Sequence, residues 1–441
     1  MRKYTLFLMM VIGLAGCSGG LFGKGGMFER KEVLIPGERI PIMLLDQKLK
    51  PDVEEVVIQL PRPQMNPAWP QAGGYPNHAM HHLVISDAPE EIWSSDIGSG
   101  ADSESRLISQ PVVYGGRIYV ADVDGRISAY DTENGDRLWR ADIKPEDEDD
   151  VTFSGGIAYA YGHLFVSTGF AQAIALNAET GESVWRRALP SPMRAAPTVS
   201  DGRLFVTTVD NQLFVLDVRN GDTLWTHKGF EESAGILGGA SPAVDGDMVV
   251  VPYTSGEIYA ILANNGRIMW SYSLASSRRS DTISSIADIR GNPVIDRDLV
   301  VAVSHSGRIV ALDMKGGTRI WEKEIGGIQT PWVAGNYLYL MTTNSEIVCL
   351  TREKGELIWV LELPKYIDPE EREGPIIWHG PVLASDRLLI AGSHGVVLTV
   401  SPYEGQVMGQ IELDDGMTVT PVVAKGTIYF LTTDADLVAL R

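Results

Sequence analysis

Three closely spaced histidines, His78, His81 and His82, are the residues of this chain that most resemble a metal site. Imidazole nitrogens are frequent zinc ligands, but a zinc site needs three or four ligands at suitable spacing, and no cysteine or carboxylate stands beside these histidines at such a distance. The acidic run at residues 146–150 lacks the spaced oxygens and the glycine of a calcium loop. We therefore expect a solvated or packing role for the histidines, a solvated acidic loop and no metal.

Motifs for other chemistry are missing from the sequence. It contains no glycine loop for phosphates, no nucleophile elbow, no H-E-x-x-H and no paired C-x-x-C. Its two cysteines are Cys17 and Cys349. Cys349 occupies a place that alanine holds in other parts of a repeat described below, so we expect a small buried side chain there. These observations favour a protein that is not an enzyme and that uses no cofactor.

The elements that carry these residues are set by an internal repeat, A-x-D-x-x-x-G-x-x-x-W. Ala129, Asp131, Gly135 and Trp139 spell it in full, and looser copies follow along the chain. The tryptophans of the repeat, about 45 residues apart, are Trp93, Trp139, Trp185, Trp225, Trp270, Trp321 and Trp359. This period is typical of the four-stranded blade of a β-propeller. Each tryptophan should lie on an outer strand and pack between neighbouring blades.

Counting the strands predicts an all-β fold, an eight-bladed β-propeller with four antiparallel strands per blade. Short segments that alternate between apolar and polar residues give eight sets of three strands. An additional strand around Trp93 precedes the first set, and the last set has no strand after it. Pairing the N-terminal strand with the C-terminal three closes the ring and removes open sheet edges. Gly409 stands where the seventh blade should have its tryptophan, so we expect that blade to be the least tightly docked.

The N-terminus predicts an anchored, exported protein. Residues 1–17 have a basic start, a short apolar core and small residues before Cys17, as in a secretory signal. Leu14, Ala15, Gly16 and Cys17 resemble the lipobox of bacterial lipoproteins, which implies a lipid on Cys17 and, with Ser18 next, transport to the outer membrane. Residues 18–77 are rich in glycine and then proline, which predicts a tether. Residues 78–441 should form the propeller.

The charge of the chain limits its partners. The formal net charge is −20, and loss of Arg2 and Lys3 with the signal would make it −22. Nucleic acids and anionic lipid head groups are therefore poor partners. Strand direction places the connections from the fourth strand of one blade to the first of the next on one face, and the longest connections are all of this kind. Loops on a rigid scaffold are where binding tends to reside.

Four apolar residues of these loops, Ile236, Leu237, Ile286 and Ile289, are candidates for exposed contacts with a partner. They lie in the connections at residues 233–241 and 281–292.

The lipobox, the proline-rich segment, the compact blades and the sequence W-P-Q-A-G-G at residues 69–74 together resemble the BamB family, the lipoproteins of the outer-membrane β-barrel assembly machinery. The resemblance covers nearly the whole chain after the signal. It implies a non-enzymatic scaffold at the periplasmic face of the outer membrane that binds the POTRA domains of BamA and other subunits of the complex, with unfolded outer-membrane proteins as further candidate partners.

The family's binding surface maps onto the same two loops. It implies contact roles for Ile236, Leu237, Asp288 and Arg290, beside Ile286 and Ile289. Leu237 stands where the family often has arginine, and Arg290 departs from an acidic position.

The alternative function is that of a periplasmic quinoprotein dehydrogenase. Those enzymes share the tryptophan repeats and bind pyrroloquinoline quinone, but they generally carry long insertions and calcium-binding carboxylates that this sequence lacks. A third possibility is a lipoprotein that binds peptide or cell-wall ligands by itself. A cofactor absorbance in the purified protein would favour the enzyme, and affinity capture from membranes would separate the other two.

Overall fold

The computed structural model of the protein describes residues 48–53, 56–101, 106–145, 155–232, 238–275 and 288–441. All regular structure in these ranges is β-strand. No helix in these ranges is long and apolar enough to cross a membrane.

The strands form eight four-stranded antiparallel sheets and one small hairpin. The first strand is β1 (Glu91–Asp96). Blade 1 contains β2 (Val112–Tyr114), β3 (Arg117–Ala121), β4 (Arg126–Asp131) and β5 (Arg137–Asp142). Blade 2 contains β6 (Gly156–Ala160), β7 (His163–Ser167), β8 (Gln172–Asn177) and β9 (Ser183–Ala188). Blade 3 contains β10 (Thr198–Ser200), β11 (Arg203–Thr207), β12 (Gln212–Asp217) and β13 (Thr223–Lys228). Blade 4 contains β14 (Ala243–Asp245), β15 (Met248–Pro252), β16 (Glu257–Leu262) and β17 (Ile268–Ser273).

The second half repeats the arrangement. Blade 5 contains β18 (Val294–Asp296), β19 (Leu299–Ser304), β20 (Arg308–Asp313) and β21 (Arg319–Lys323). Blade 6 contains β22 (Trp332–Ala334), β23 (Tyr337–Met341), β24 (Glu346–Thr351) and β25 (Leu357–Glu362). The hairpin of β26 (Tyr366–Asp368) and β27 (Glu373–Pro375) follows. Blade 7 contains β28 (Trp378–Ala384), β29 (Arg387–Gly392), β30 (Val396–Val400) and β31 (Val407–Glu412). Blade 8 contains β32 (Val422–Ala424), β33 (Thr427–Leu431), β34 (Asp436–Leu440) and β1.

The predicted eight-bladed propeller and its closure are confirmed. Within each blade the four strands, called A to D here, are hydrogen-bonded in order, and the A strands of adjacent blades contact one another around the centre. Blade 8 has the order β1, β34, β33, β32, so the N-terminal strand supplies its D strand, with Trp93 opposite Ala439. The ring is thus fastened by hydrogen bonds between the two ends of the propeller sequence.

The core lies between blades. Successive hydrophobic clusters join blade 1 to blade 2, blade 2 to blade 3 and so on, and the strands B and C are buried on both faces because a sheet packs against each side. Cys349 is one of these residues. It is fully buried opposite Trp359, in the place that Ala129 holds opposite Trp139, as the repeat predicted.

Each repeat tryptophan docks onto the next blade. The indole N–H of Trp139 donates to the carbonyl of Ala178, 3.1 Å away, in the C to D turn of blade 2. Gly181 in that turn has φ +77°, and a Cβ there would lie 2.6 Å from the Trp139 ring. The seven tryptophans all make this bond, to Thr132, Ala178, Val218, Ala263, Met314, Arg352 and Pro402. The repeat glycine is required because the ring lies where a side chain would begin.

Gly409 breaks the series at the junction of blades 7 and 8. In blade 8 the chain ends after strand C and its D strand comes from the N-terminus, so that blade has no C to D turn to receive an indole. The apolar residues before Gly409 are exposed, Val407 by 51% and Met408 by 62%. The absence of tryptophan at this junction therefore has a topological reason. That blade 7 is the least tightly docked remains a prediction.

A segment from Asn66 to Leu83 crosses the end of the central channel and is hydrogen-bonded to all eight blades. The bonds to blades 8, 1 and 2 come from Asn66 to Val423, Trp69 to Val113 and Pro70 to Tyr159. Those to blades 3, 4 and 5 come from Gln71 to Val199, Pro76 to Val244 and Asn77 to Ile295, and those to blades 6 and 7 from His81 to Trp332 and Leu83 to Leu383. We call this segment the central strap.

Residues before the central strap also pack on the propeller. Asp52 accepts from the backbone N–H of Leu357 at 2.7 Å and forms an ion pair with Lys323. The apolar residue preceding the tryptophan is 45–49% exposed at Leu138, Val184, Leu224 and Ile320 but 9% exposed at Ile358 in blade 6. Chain contacts place Leu49–Arg441 in one compact unit.

The boundary predicted at residue 77 is thus corrected to about residue 49. Proline-rich composition indicated a tether, but several groups of this segment are hydrogen-bonded to the blades, among them Asp52 to Leu357 and Trp69 to Val113. Residues 18–47, the remainder of the predicted tether, and the predicted signal at 1–17 lie outside the described residues.

We predict that Gly181→Ala destabilises the protein more than Gly162→Ala. Both glycines have φ +77°, so each substitution has the same backbone cost of about 1–2 kcal/mol, but nothing lies within 4 Å of a Cβ at Gly162. The clash with Trp139 should add about 1–3 kcal/mol at Gly181. Urea unfolding of both variants measures the difference. Equal losses of stability would contradict the docking role of the glycine.

Candidate partner-binding face

The two faces of the propeller differ in character. The A to B and C to D turns lie on one face, together with the central strap. The D to A connections and the B to C turns lie on the opposite face, which we call the loop face. It contains the predicted connections, including those at 233–241 and 281–292. Residues 233–237 and 276–287 within them lie outside the described residues.

The structure locates only part of the predicted contact set. Ile236, Leu237 and Ile286 lie outside the described residues, as does Cys17. Asp288 and Ile289 are each 2% exposed. The expectation that Ile289 is an exposed apolar contact is therefore wrong. The carbonyl of Asp288 accepts from the backbone N–H of His305 at 2.9 Å, which draws this part of the connection against the B to C turn of blade 5 and explains the burial.

Arg290 turns inward toward the centre of the loop face. Its Nη1 lies 3.5 Å from the carbonyl oxygen of Ile328, and its side chain passes Gly238, where a Cβ would lie 3.1 Å from Nε. Burial lowers the pKa of Arg290, and the nearby carboxylate of Asp288 opposes that shift. An arginine remains charged even so. Asp288 and Arg290 are thus brought together, beneath the surface.

Sequence reasoning missed the exposed apolar residues that flank these loops. Phe230, after the D strand of blade 3, is 68% exposed, and Val209, in the B to C turn of the same blade, is 38% exposed. Asn211 joins their two segments, because its side chain donates to the carbonyl of Phe230 and its backbone carbonyl accepts from Gly229. The signal available in the sequence was an aromatic residue directly after a strand and before a glycine-rich loop.

A cavity of about 280 Å³ opens next to this patch. Its lining includes Asn211, Glu232, Tyr253, Asp288 and Ile289. Asp288 and Ile289, which were predicted as partner contacts, therefore line the inside of this cavity and are not exposed at its edge. A second exposed apolar pair is associated with the hairpin between blades 6 and 7: Ile367 lies in its first strand and Ile377 follows its second.

The three clustered histidines hold the central strap in place. His78 Nδ1 lies 2.7 Å from the carbonyl oxygen of Pro293, and His82 Nδ1 lies 2.7 Å from that of Pro61. His82 Nε2 accepts from the backbone N–H of Asp386. Nε2 of His81 lies 3.6 Å from the carboxylate of Asp296. Within the described ranges no group of three or more histidine, cysteine, aspartate or glutamate side chains is arranged to hold a metal ion.

These features define the protein as an eight-bladed, tryptophan-docked propeller with one irregular face. Residues 83–149 and 123–361 match the family described as outer membrane protein assembly factor BamB, and the chain belongs to that family. A BamB of Yersinia pestis is 26% identical over 361 residues, which are 78% of this chain and 89% of the relative.

Two solved structures share the fold. The crystal structure of BamB from Moraxella catarrhalis has a TM-score of 0.70 and 22% identity, covering 80% of this chain and all of that one. A europium-containing methanol dehydrogenase has a TM-score of 0.67 and 15% identity, covering 83% of this chain and 89% of that one. At these identities the two likenesses concern the fold alone.

We predict that the protein loses stability as the pH falls from about 6.5 to about 4. Burial lowers the pKa of His78 to about 4, and burial together with the charge of Arg290 lowers the pKa of His379 to about 4. An unfolded histidine has a pKa near 6.5, so in this window the unfolded chain binds protons that the native state does not. The loss can reach about 3 kcal/mol per histidine and is absent above this window.

Urea unfolding at pH 7 and at pH 4.5 measures the effect. His379→Asn removes one titrating group and should reduce the pH dependence by that group's share, up to about 3 kcal/mol; His227 and His394, whose pKa burial also lowers, keep theirs. An unchanged pH dependence in this variant would contradict the assignment.

Proposed function

We propose that this protein is a non-enzymatic scaffold of outer-membrane protein assembly that binds the POTRA domains of BamA through its loop face. Membership of the BamB family carries this proposal, because the family is described as an outer membrane protein assembly factor. As part of such a complex, the protein assists the folding and insertion of β-barrel proteins, with the other subunits and unfolded outer-membrane proteins as further partners.

The patch around Phe230 and Val209 supports docking on the loop face. A phenylalanine that is 68% exposed gains free energy when a partner covers it, and aromatic residues near the centre of an interface commonly contribute most of its binding energy. Ile236, Leu237 and Ile286 belong to the adjacent connections and extend the proposed contact. Asp288, Ile289 and Arg290 act from below by fixing the path of the second connection.

The anchor is proposed to be a lipid on Cys17, which holds the protein at the periplasmic face of the outer membrane. The described chain joins the propeller at residues 49–52, beside the first residue of strand D in blade 6. That position is on the face with the A to B and C to D turns.

We predict that Phe230→Glu and Ile236→Glu each weaken binding to BamA at least about tenfold, because a charge in an apolar contact must be desolvated without compensation. Met408→Glu is the matched control. The exposed fraction of Met408, 62%, is similar to that of Phe230, but Met408 lies on the outer strand of blade 7. Binding is measured by co-purification from membranes and by calorimetry with the isolated POTRA domains.

A correctly folded Phe230→Glu, Ile236→Glu double variant that binds BamA as well as the control would rule out this surface. If the double variant and the control lose binding equally, the contact is not located on the loop face.

A further inference from the structure

The central channel forms a cavity at the middle of the loop face. Each blade contributes to the wall one residue near the start of its A strand. These residues form a ring: Gln110, Gly155, Ala196, Ser241, Asn292, Thr330, Gly380 and Thr420. The central strap closes its far end with Trp69, Gly73 and His78. The cavity volume is about 140 Å³, which is room for several water molecules or for a ligand of a few heavy atoms.

The charged residues of this lining are of one sign, and the carboxylate of Asp288, which lies near Arg290, lines the neighbouring cavity instead. Arg194 and Arg290 belong to the lining of the central channel, and no aspartate or glutamate does within the described part of the chain. This is unusual for a protein with a net charge of −20. The positive field is felt by a neighbour in the lining, because the charge of Arg290 contributes to lowering the pKa of His379. A cavity lined by positive charge favours an anionic ligand.

Most polar groups of the ring are already paired. Gln110 accepts from the backbone N–H of Gly73 at 2.8 Å and donates to the carbonyl of Thr420 at 3.1 Å. Ser241 donates to the carbonyl of Ala196, and Asn292 accepts from the backbone N–H of Ser241. These bonds join neighbouring blades and leave the shape of the cavity fixed.

His78 is different, because one of its nitrogens has no partner. The side chain is 4% exposed, and Nε2 is buried without a hydrogen bond among the described residues. Since Nδ1 must carry the proton that it donates to the carbonyl of Pro293, the Nε2 of the neutral ring is an acceptor. Thr418 Oγ1, also in the lining, is buried and unpaired as well. Buried polar atoms of this kind ordinarily have a partner.

We propose that this cavity binds a carboxylate that carries an adjacent N–H or O–H donor. The two arginines bind the carboxylate, and His78 Nε2 accepts from the adjacent donor. This chemistry is found at the C-terminus of a peptide, where the last backbone N–H lies next to the carboxylate, and in small hydroxy acids. The site uses residues of the channel interior, and Arg290 is the one residue that it shares with the proposed docking surface.

Calorimetric titration of the full chain with N-acetylglycine tests the proposal. This probe has a carboxylate next to an amide N–H and fits the volume. N-acetylglycinamide, which lacks the carboxylate, should bind at least about tenfold more weakly. Glycolate, a hydroxy acid, is the second arm. Tighter binding of N-acetylglycine identifies a peptide C-terminus as the source of the carboxylate, and tighter binding of glycolate identifies a free hydroxy acid.

Arg290→Gln and Arg194→Gln should each weaken binding of the better probe about tenfold or more. Arg219→Gln removes the same charge at an exposed C to D turn and should leave binding unchanged. Thr420→Asp keeps both arginines but introduces a negative charge in the ring, and it should abolish binding without loss of the native melting temperature. The Thr420→Asp variant tests the proposal if the arginine variants do not fold.

The proposal is overturned if neither acid binds below about 10 mM, a limit that corresponds to under 3 kcal/mol. It is overturned as well if the amide binds as tightly as the acid, or if a folded Thr420→Asp variant retains the wild-type affinity.

Discussion

The rest of the structure depends on the contact between a tryptophan of one blade and a glycine of the next. The indole N–H donates to a carbonyl in the neighbouring C to D turn, and the ring covers the glycine of that turn. Because both partners belong to the same eleven-residue motif, each blade offers a ring on one side and a turn on the other. Blades can therefore be added in only one direction, and the ring closes when the first strand supplies the last missing D strand.

The outer contacts alone do not fix the centre. At the channel the A strands converge, and the central strap gives each of them a hydrogen bond from a different group, among them the side chain of Gln71, the carbonyl of Pro76 and the backbone of Leu83. This strap is not a repeat, so each of its residues matches one blade. It couples the eight otherwise similar blades at the centre of the ring.

The sequence predicted the repeating part of the molecule well. Trp139, Gly181 and Cys349 could be placed because the same interaction recurs at a constant spacing, so that each copy supports the others. Residues 66–77 of the strap were predicted to belong to a tether for the opposite reason. Its contacts are single, between residues such as Asn66 and Val423 that are 357 positions apart, and no local pattern indicates them.

The path of the connection around Asp288 and Ile289 was equally hard to predict from the sequence. Ile289 is buried because the carbonyl of Asp288 is hydrogen-bonded to a turn of the next blade. No sequence pattern distinguishes a buried loop isoleucine from an exposed one. Phe230 shows the converse. Its exposure depends on how Asn211 holds the segment, which the sequence indicates only as a turn residue.

The two sets of constraints, indole docking and the central strap, also explain why the long irregular connections lie on one face. Indole docking involves the C to D turns, and the strap occupies the A strand ends beside the A to B turns, so both kinds of contact use the same face. A change of length there would disturb a junction between blades or a bond to the strap. The D to A connections take part in neither kind of contact, so their length can increase without disturbing the ring. They expose Phe230 and direct Arg290 into the channel. The surface that can vary and the cavity that remains open therefore lie together on the loop face.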